Sequence, residues 1–261
     1  MIRGLYTSAL GMMSSMQRMD VITNNIANVD TTGHKRDHVI SHSFSDQLIT
    51  RLHDPGMLRI IGMQWPENIG NINPGVFIDD VFTVFRQGPM QKSGNSLDLA
   101  LHGEGFFVVL LGQGADAERV FTRDGAFTLQ DGMLITQLGG RVQGQNGDII
   151  LPNGYVSINE SGMIFVNGEY IDTLALTTFT DLHSLRRMED NFFRVSEHSE
   201  EMEISPDLRV HQGFLEGSNV NIVQEMVSMI TASRAYETNA RVLTSQDQTL
   251  QQAVTQIARR Q

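Results

Sequence analysis

The chain of 261 residues contains no cysteine, which removes disulfides, zinc–thiolate sites and thiol catalysis together. Basic residues are scarce beside acidic ones: 19 Lys and Arg against 30 Asp and Glu give a net charge of −11 and a pI near 5.1. That balance argues against nucleic-acid binding and against a basic membrane-facing patch. No apolar run reaches the about 18 residues of a spanning helix, so no membrane insertion is expected. The start of the chain lacks the apolar stretch of about 7 to 15 residues and the small-residue cleavage site of a secretory signal. Any exit from the cytosol is therefore expected to be uncleaved and by another route.

The patterns that carry common chemistry are missing as well. Gly103-Glu104-Gly105 has no third glycine at dinucleotide-loop spacing, and the residues after it, Phe106 to Leu111, read as a strand. There is no P-loop, G-x-S-x-G elbow, HExxH pair or EF-hand loop. His34, His38 and His42 share a face whether the segment is helical or extended, and with His53 they have the residue types of a zinc site. Surface segments commonly carry histidines with no such role, so no metal, cofactor or catalytic residue is assigned.

What the chain does have is helical periodicity at both ends. Stepping alternately four and three residues from Ile222 meets Met226, Met229, Ser233, Tyr236, Ala240, Leu243, Asp247, Leu250, Val254 and Ile257. Only Ser233 and Asp247 break the apolar stripe, and a mean period of 3.5 is that of a coiled-coil seam. Neither Pro nor Gly interrupts Val220 to Gln261, and Asn221 with Gln224 has capping-box spacing. Such a helix is on the order of 55 to 60 Å long and needs a partner. Gln246 and Gln251 fall off this stripe. At the other end Ile2, Leu5, Ala9, Met12, Met16, Met19, Thr23 and Ile26 follow the same walk, with only Thr23 failing. The two seams are expected to pair, parallel or antiparallel, or to meet equivalents in neighbouring molecules; a single globular core under both is the plainer alternative. Gly4 and Gly11, seven apart, suit close approach of another backbone. The fourteen methionines read as adaptable packing at an interface.

Between the helices the period changes. Short β-rich runs such as Phe106 to Leu111 and Met163 to Val166 alternate with Asp124-Gly125, Asp131-Gly132, Asn146-Gly147, Asn153-Gly154, Ser161-Gly162 and Asn167-Gly168. These steps supply the positive φ of tight hairpins and indicate an all-β central domain. The expected organisation is a mixed fold: N-terminal helix 1–30, extended linker 31–74, β domain 75–208, return linker 209–218 and C-terminal helix 219–261.

Three segments carry a family likeness. Asn24-Asn25-Ile26-Ala27-Asn28-Val29 with Thr32-Gly33-His34-Lys35 resembles the N-terminal signature of bacterial flagellar rod, hook and hook-associated proteins. Leu97 to Leu101, Gly103 to Phe107 and Phe121 to Phe127 agree with the same family, as do Gln212 to Asn221, Glu225-Met226-Val227 and Arg234 to Asn239. His34 stands where the family usually has an aromatic residue. Length and order are similar to the basal-body rod proteins, of the proximal or the distal rod.

The resemblance implies a non-enzymatic building block that assembles helically with its paired terminal helices innermost and carries torque from motor to hook. Its partners would be copies of itself, other flagellar rod and hook proteins and the flagellar type III export apparatus. Its place would be the basal-body rod where it crosses the periplasm of a double-membraned cell. The candidate assembly residues are Leu5, Met12, Met16, Met19, Asn24, Asn25 and Asn28, with Ile222, Met226, Met229, Tyr236, Leu243, Leu250, Val254 and Ile257. In the Asn run, amides can bond neighbouring backbone where the helix ends, or Asn28 and Asp30 can simply cap it. A surface adhesin or binding module oligomerised by its terminal coiled coil, and a metal enzyme around the three histidines, are the alternatives from other classes.

Overall fold

A computed structural model describes residues 2–45, 47–51, 67–73, 75–112, 117–195, 201–202 and 208–258. A mostly β central region lies between helix α1 (Ile2–Ala27) and helix α2 (Ile222–Ala258). α1 ends where Asn28 folds back, its Nδ2 donating to the Asn24 carbonyl at 2.9 Å. α2 begins at Asn221, whose Oδ1 accepts from the Gln224 amide at 3.1 Å, as an N-cap does. Among the described residues no helix is long and apolar enough to cross a membrane.

The chain forms two compact units: Met1–Thr23, Val39–Val81 and Met226–Gln261 make one, Asn24–His38 and Phe82–Glu225 the other. In the first, Gly4 lies against the side chain of Gln246 and Gly11 against that of Asn239, where a Cβ would come within 2.7 Å of the amide nitrogen. Positions seven apart on α1 thus meet positions seven apart on α2 in reverse order, so the helices run antiparallel at these points. The close approach is made on small residues. Ser8 and Ser15 follow the two glycines by one turn and turn their hydroxyls back onto the glycine carbonyls at 2.8 Å, while Gln246 Oε1 beside Gly4 is buried without a partner. Gln246, off the stripe by periodicity, is therefore at the contact: a heptad walk ranks positions by hydrophobicity, whereas helices this close select for what fits beside glycine. In the expected linker, strand Asp37–Ser43 pairs with Val76–Thr83, and Gln47–Arg51 pairs antiparallel with Glu67–Ile72.

The second unit is built on strand Phe106–Leu111, flanked antiparallel by Glu118–Thr122 and Arg141–Gly144. Its sequence FFVVLL has no polar alternation because both faces are covered. Phe107 packs on one side with Phe127, Leu134, Ile149 and Ile164; Phe106 and Val108 pack on the other with Phe121, Phe179 and Phe193. Val156–Ile158, Met163–Val166 and Glu169–Thr173 form a separate three-stranded sheet. Tight hairpins occur at Asp131-Gly132 and Asn167-Gly168, where both residues of each pair have positive φ. Asp124-Gly125 is different. Gly125 lies outside the left-handed region, and a Cβ there would strike the Leu99 carbonyl, so the glycine serves backbone contact and not a turn. Residues of the expected return linker are strands too: Arg209–Gln212 pairs with Leu99–His102, and Phe214–Glu216 with Met90–Lys92.

Candidate functional site

Parts of the family-like segments, residues 32–35, 121–127 and 212–221, meet in one place within the second unit. Gly33 is the point of entry. Its φ of +67° is left-handed, and a Cβ would collide with the backbone of Arg123 and Asp124. Seated there, its amide donates to the Glu216 carbonyl at 2.7 Å, and Thr32 Oγ1 donates to Asp124 Oδ1 at 2.7 Å. Burial pushes the Asp124 carboxyl up, against the pull of its bonds from Thr32 and the Ala126 amide.

Lys35 follows, and it is only 1% exposed. Its Nζ donates to Glu216 Oε1 at 2.5 Å and to the Arg86 carbonyl at 3.0 Å. The same carboxylate oxygen accepts from the Gly88 amide at 2.9 Å, while Oε2 takes Arg123 Nη1 at 3.4 Å. Arg123 is held further by the Gly103 carbonyl at 2.8 Å and by the Phe106 ring, 5.3 Å from its guanidinium carbon. Burial pushes both cations' pKa values down and Glu216 holds them up. Two cations thus share one carboxylate, and all three side chains are almost wholly buried.

Beside this triad, Arg187 Nη1 donates to Asp37 Oδ2 at 2.8 Å, and its Nη2 donates to Asn191 Oδ1 and His34 Nδ1, both at 2.6 Å. A guanidinium has no acceptor, so His34 Nδ1 must accept and its proton sits on Nε2, a buried atom without a partner. The 3.2 Å approach of Nδ1 to Asn191 Oδ1 then joins two acceptors and is not a hydrogen bond. Asn25 is 1% exposed and clasps Asp37 twice at 2.9 Å, accepting from its amide and donating to its carbonyl. Asn219 Oδ1 accepts from the Arg36 amide at 2.7 Å and its Nδ2 donates to the carbonyls of Val84 and Arg86. Arg36 Nε lies 2.6 Å from Glu225 Oε1, as an ion pair without hydrogen-bond alignment. The end of α1 and the start of α2 are both moored to this cluster.

A pH dependence follows from His34. Burial first, then Arg187, lowers its pKa from 6.5 to about 4, while Asn191 and Asp37 oppose. The unfolded chain then binds more protons than the folded one between those values, and stability rises with pH there. The contribution is complete above about pH 6.5 and lost as pH falls towards 4, at up to about 1.4 kcal/mol per pH unit. Asp124 titrates in the opposite sense, so the measurement is a comparison. Denaturation midpoints of His34→Gln are expected to fall less steeply than those of the parent between pH 6.5 and 4; equal slopes would contradict the assignment.

The other histidines are elsewhere. The His38 ring stacks 5.3 Å from Phe82, and His42 is exposed, 3.8 Å from Asp79. His53 lies outside the described residues. Among the described residues no three His, Cys, Asp or Glu side chains are grouped to hold a metal ion. Arg187 and Asn191, which no periodicity marks, were not legible in advance. Lys35, Arg123 and Glu216 stand inside the family segments, but nothing in the sequence pairs them.

The helical positions divide. Leu5, Met12, Met19, Met229, Tyr236, Leu243 and Leu250 are half-buried in the single chain, whereas Met16, Ile222, Met226 and Val254 are 38% to 64% exposed. Asn24 is exposed and Asn28 half-buried; the Ile257 side chain lies outside the described residues. The covered line on α2 runs through Glu225, Met229, Ala232, Tyr236, Asn239, Leu243, Gln246 and Leu250. Every second position is thus one residue before the apolar stripe. Tyr6, Met13, Val223, Val227 and Ile230 add further exposed apolar surface.

Three families match the chain: Flagella basal body rod protein over residues 5–35, Flagellar hook protein FlgE/F/G D1 domain over 100–166, and Flagellar basal body rod FlgEFG protein C-terminal over 211–257. The flagellar basal-body rod protein FlgG of Borreliella burgdorferi is 34% identical, covering 96% of this chain and 97% of its own. That of Bacillus subtilis is 31% identical, covering 97% and 98%. The rod protein FlgF of Caulobacter vibrioides is 31% identical, covering 93% of each.

Proposed function

The chain belongs to the flagellar basal-body rod proteins, and from that membership we propose how it works as a structural subunit of the rod. The carrying observation is that the matched segments at the two ends and in the middle of the chain are joined in space by the Lys35, Arg123 and Glu216 cluster. Torque passed along a rod loads the point where helices enter the β region. A buried, many-bonded cluster inside the second unit, at the root of each helix, suits that load because each bond is shielded from water and must be broken with the others.

In this reading α1 and α2 pair as an antiparallel coiled coil around Gly4 and Gly11, and their exposed stripes, Met16, Ile222, Met226 and Val254 among them, are covered by neighbouring copies and by other rod and hook proteins. The partition at 30, 74, 208 and 218 divides the pairing helices from the middle of the chain, with residues 209–216 folding as strands of the β region. The subunit reaches the rod through the flagellar type III export apparatus, crosses the periplasm within the rod, inserts in no membrane and catalyses nothing. Relatives under both rod-protein names match over more than nine-tenths of the chain, and the proposal is for a rod subunit as such. Imaging basal bodies from cells carrying a tagged chain tests it: density for the tag on the rod is expected. Label on the cell surface and none in basal bodies would favour the adhesin instead.

A further inference from the structure

A small cleft opens beside Arg123, lined by Phe85, Glu104, Phe106, Phe179 and Leu182 with Gly105 and Thr178. It has about 240 Å³ of empty space, part of it continuous with solvent, and narrows to room for about one water-sized particle. We propose that this cleft seats a small monovalent anion, chloride in solution, which supplies the counter-charge that the buried cluster lacks.

The charges set the demand. Lys35, Arg123 and Glu216 are at most 3% exposed, and within that buried set one carboxylate answers two cations, with only the exposed Glu104 acting on Arg123 from outside it. An unpaired charge away from water is costly unless a counter-ion reaches it. The lining offers what an anion needs. Arg123 carries five N–H groups, of which Glu216 and the Gly103 carbonyl engage two. Glu104 is exposed, lines the cleft and acts on Arg123 from a distance; its charge opposes a second anion and keeps the affinity modest.

The alternative relief is loss of the proton from Lys35, whose pKa burial lowers. The two are separable on the full-length chain. Melting in sodium chloride against sodium gluconate at equal ionic strength should show a saturable rise in Tm on the order of 3 °C with chloride, and crystals grown in bromide should show an anomalous peak in the cleft. Lys35→Met removes the surplus charge without touching the cleft lining, and the chloride effect should vanish in it. A parent that melts alike in both salts with only water in the cleft would overturn the proposal, as would a chloride effect of the same size in Lys35→Met.

Discussion

Glu216→Ala is expected to unfold the second unit or leave it barely stable, with a loss of about 3–5 kcal/mol, because it strands Lys35 and Arg123 together without a partner. Domains of this kind have only about 5–15 kcal/mol in all. Lys35→Met at the same cluster should cost far less: the remaining Glu216 and Arg123 still pair, and the methionine fills similar volume. The asymmetry is the informative part. A general packing defect would make the two substitutions comparable, whereas the observed bonding, in which Glu216 alone touches Lys35, Gly88 and Arg123, ranks them unequally. Urea denaturation of both variants checks the order, and a Glu216→Ala chain as stable as Lys35→Met would contradict it. Because Gly33 is also held by the Glu216 backbone, Glu216→Gln should retain the seat of residues 32–36 better than Lys35 and Arg123 retain theirs.

Leu243→Asp or Leu250→Asp should abolish rod growth, and with it swimming, while the β region still folds and the chain is still exported. Both leucines are half-buried on the covered line of α2. Burying a leucine contributes roughly 1.5 to 3 kcal/mol, and an unpaired carboxylate in its place costs more still. Every subunit of a rod repeats the defect, so the loss recurs along the assembly. Gln251→Asp, on an exposed position, is the control and should be mild. Gln246 cannot serve as one, since it lies against Gly4. Export and motility must both be scored, because a block in secretion would look like a block in assembly. Normal swimming by both leucine variants would remove the seam from the account.

The helices and the β region were legible because their signals are periodic and local: the seams at both ends, the unbroken apolar run at Phe106, the Asx-Gly steps at Asp131 and Asn167. The cluster was not, because its members are far apart in sequence. Lys35 and Glu216 are 181 residues apart, and no window of sequence shows that opposite charges so distant will be buried together. The half-register difference on the helices has a different cause. Two adjacent 4-3 walks fit the same segment, and hydrophobicity favours the one through Met16 and Met226. Steric fit beside Gly4 and Gly11 favours the one through Ser8, Ser15 and Ala232, and leaves the more apolar residues facing outward.

Those outward residues bear on the main claim, that the terminal helices complete their burial in the rod and not in the single chain. Hydrogen exchange on the dilute full-length protein, set beside the same protein in isolated basal bodies, measures this directly. The free chain should protect Phe106–Leu111 and the amides of Gly33 and Gly88 while α2 beyond Met226 exchanges quickly, and in basal bodies α2 should become protected over its length. Protection of α2 in the dilute monomer equal to that of the central strand would contradict the account.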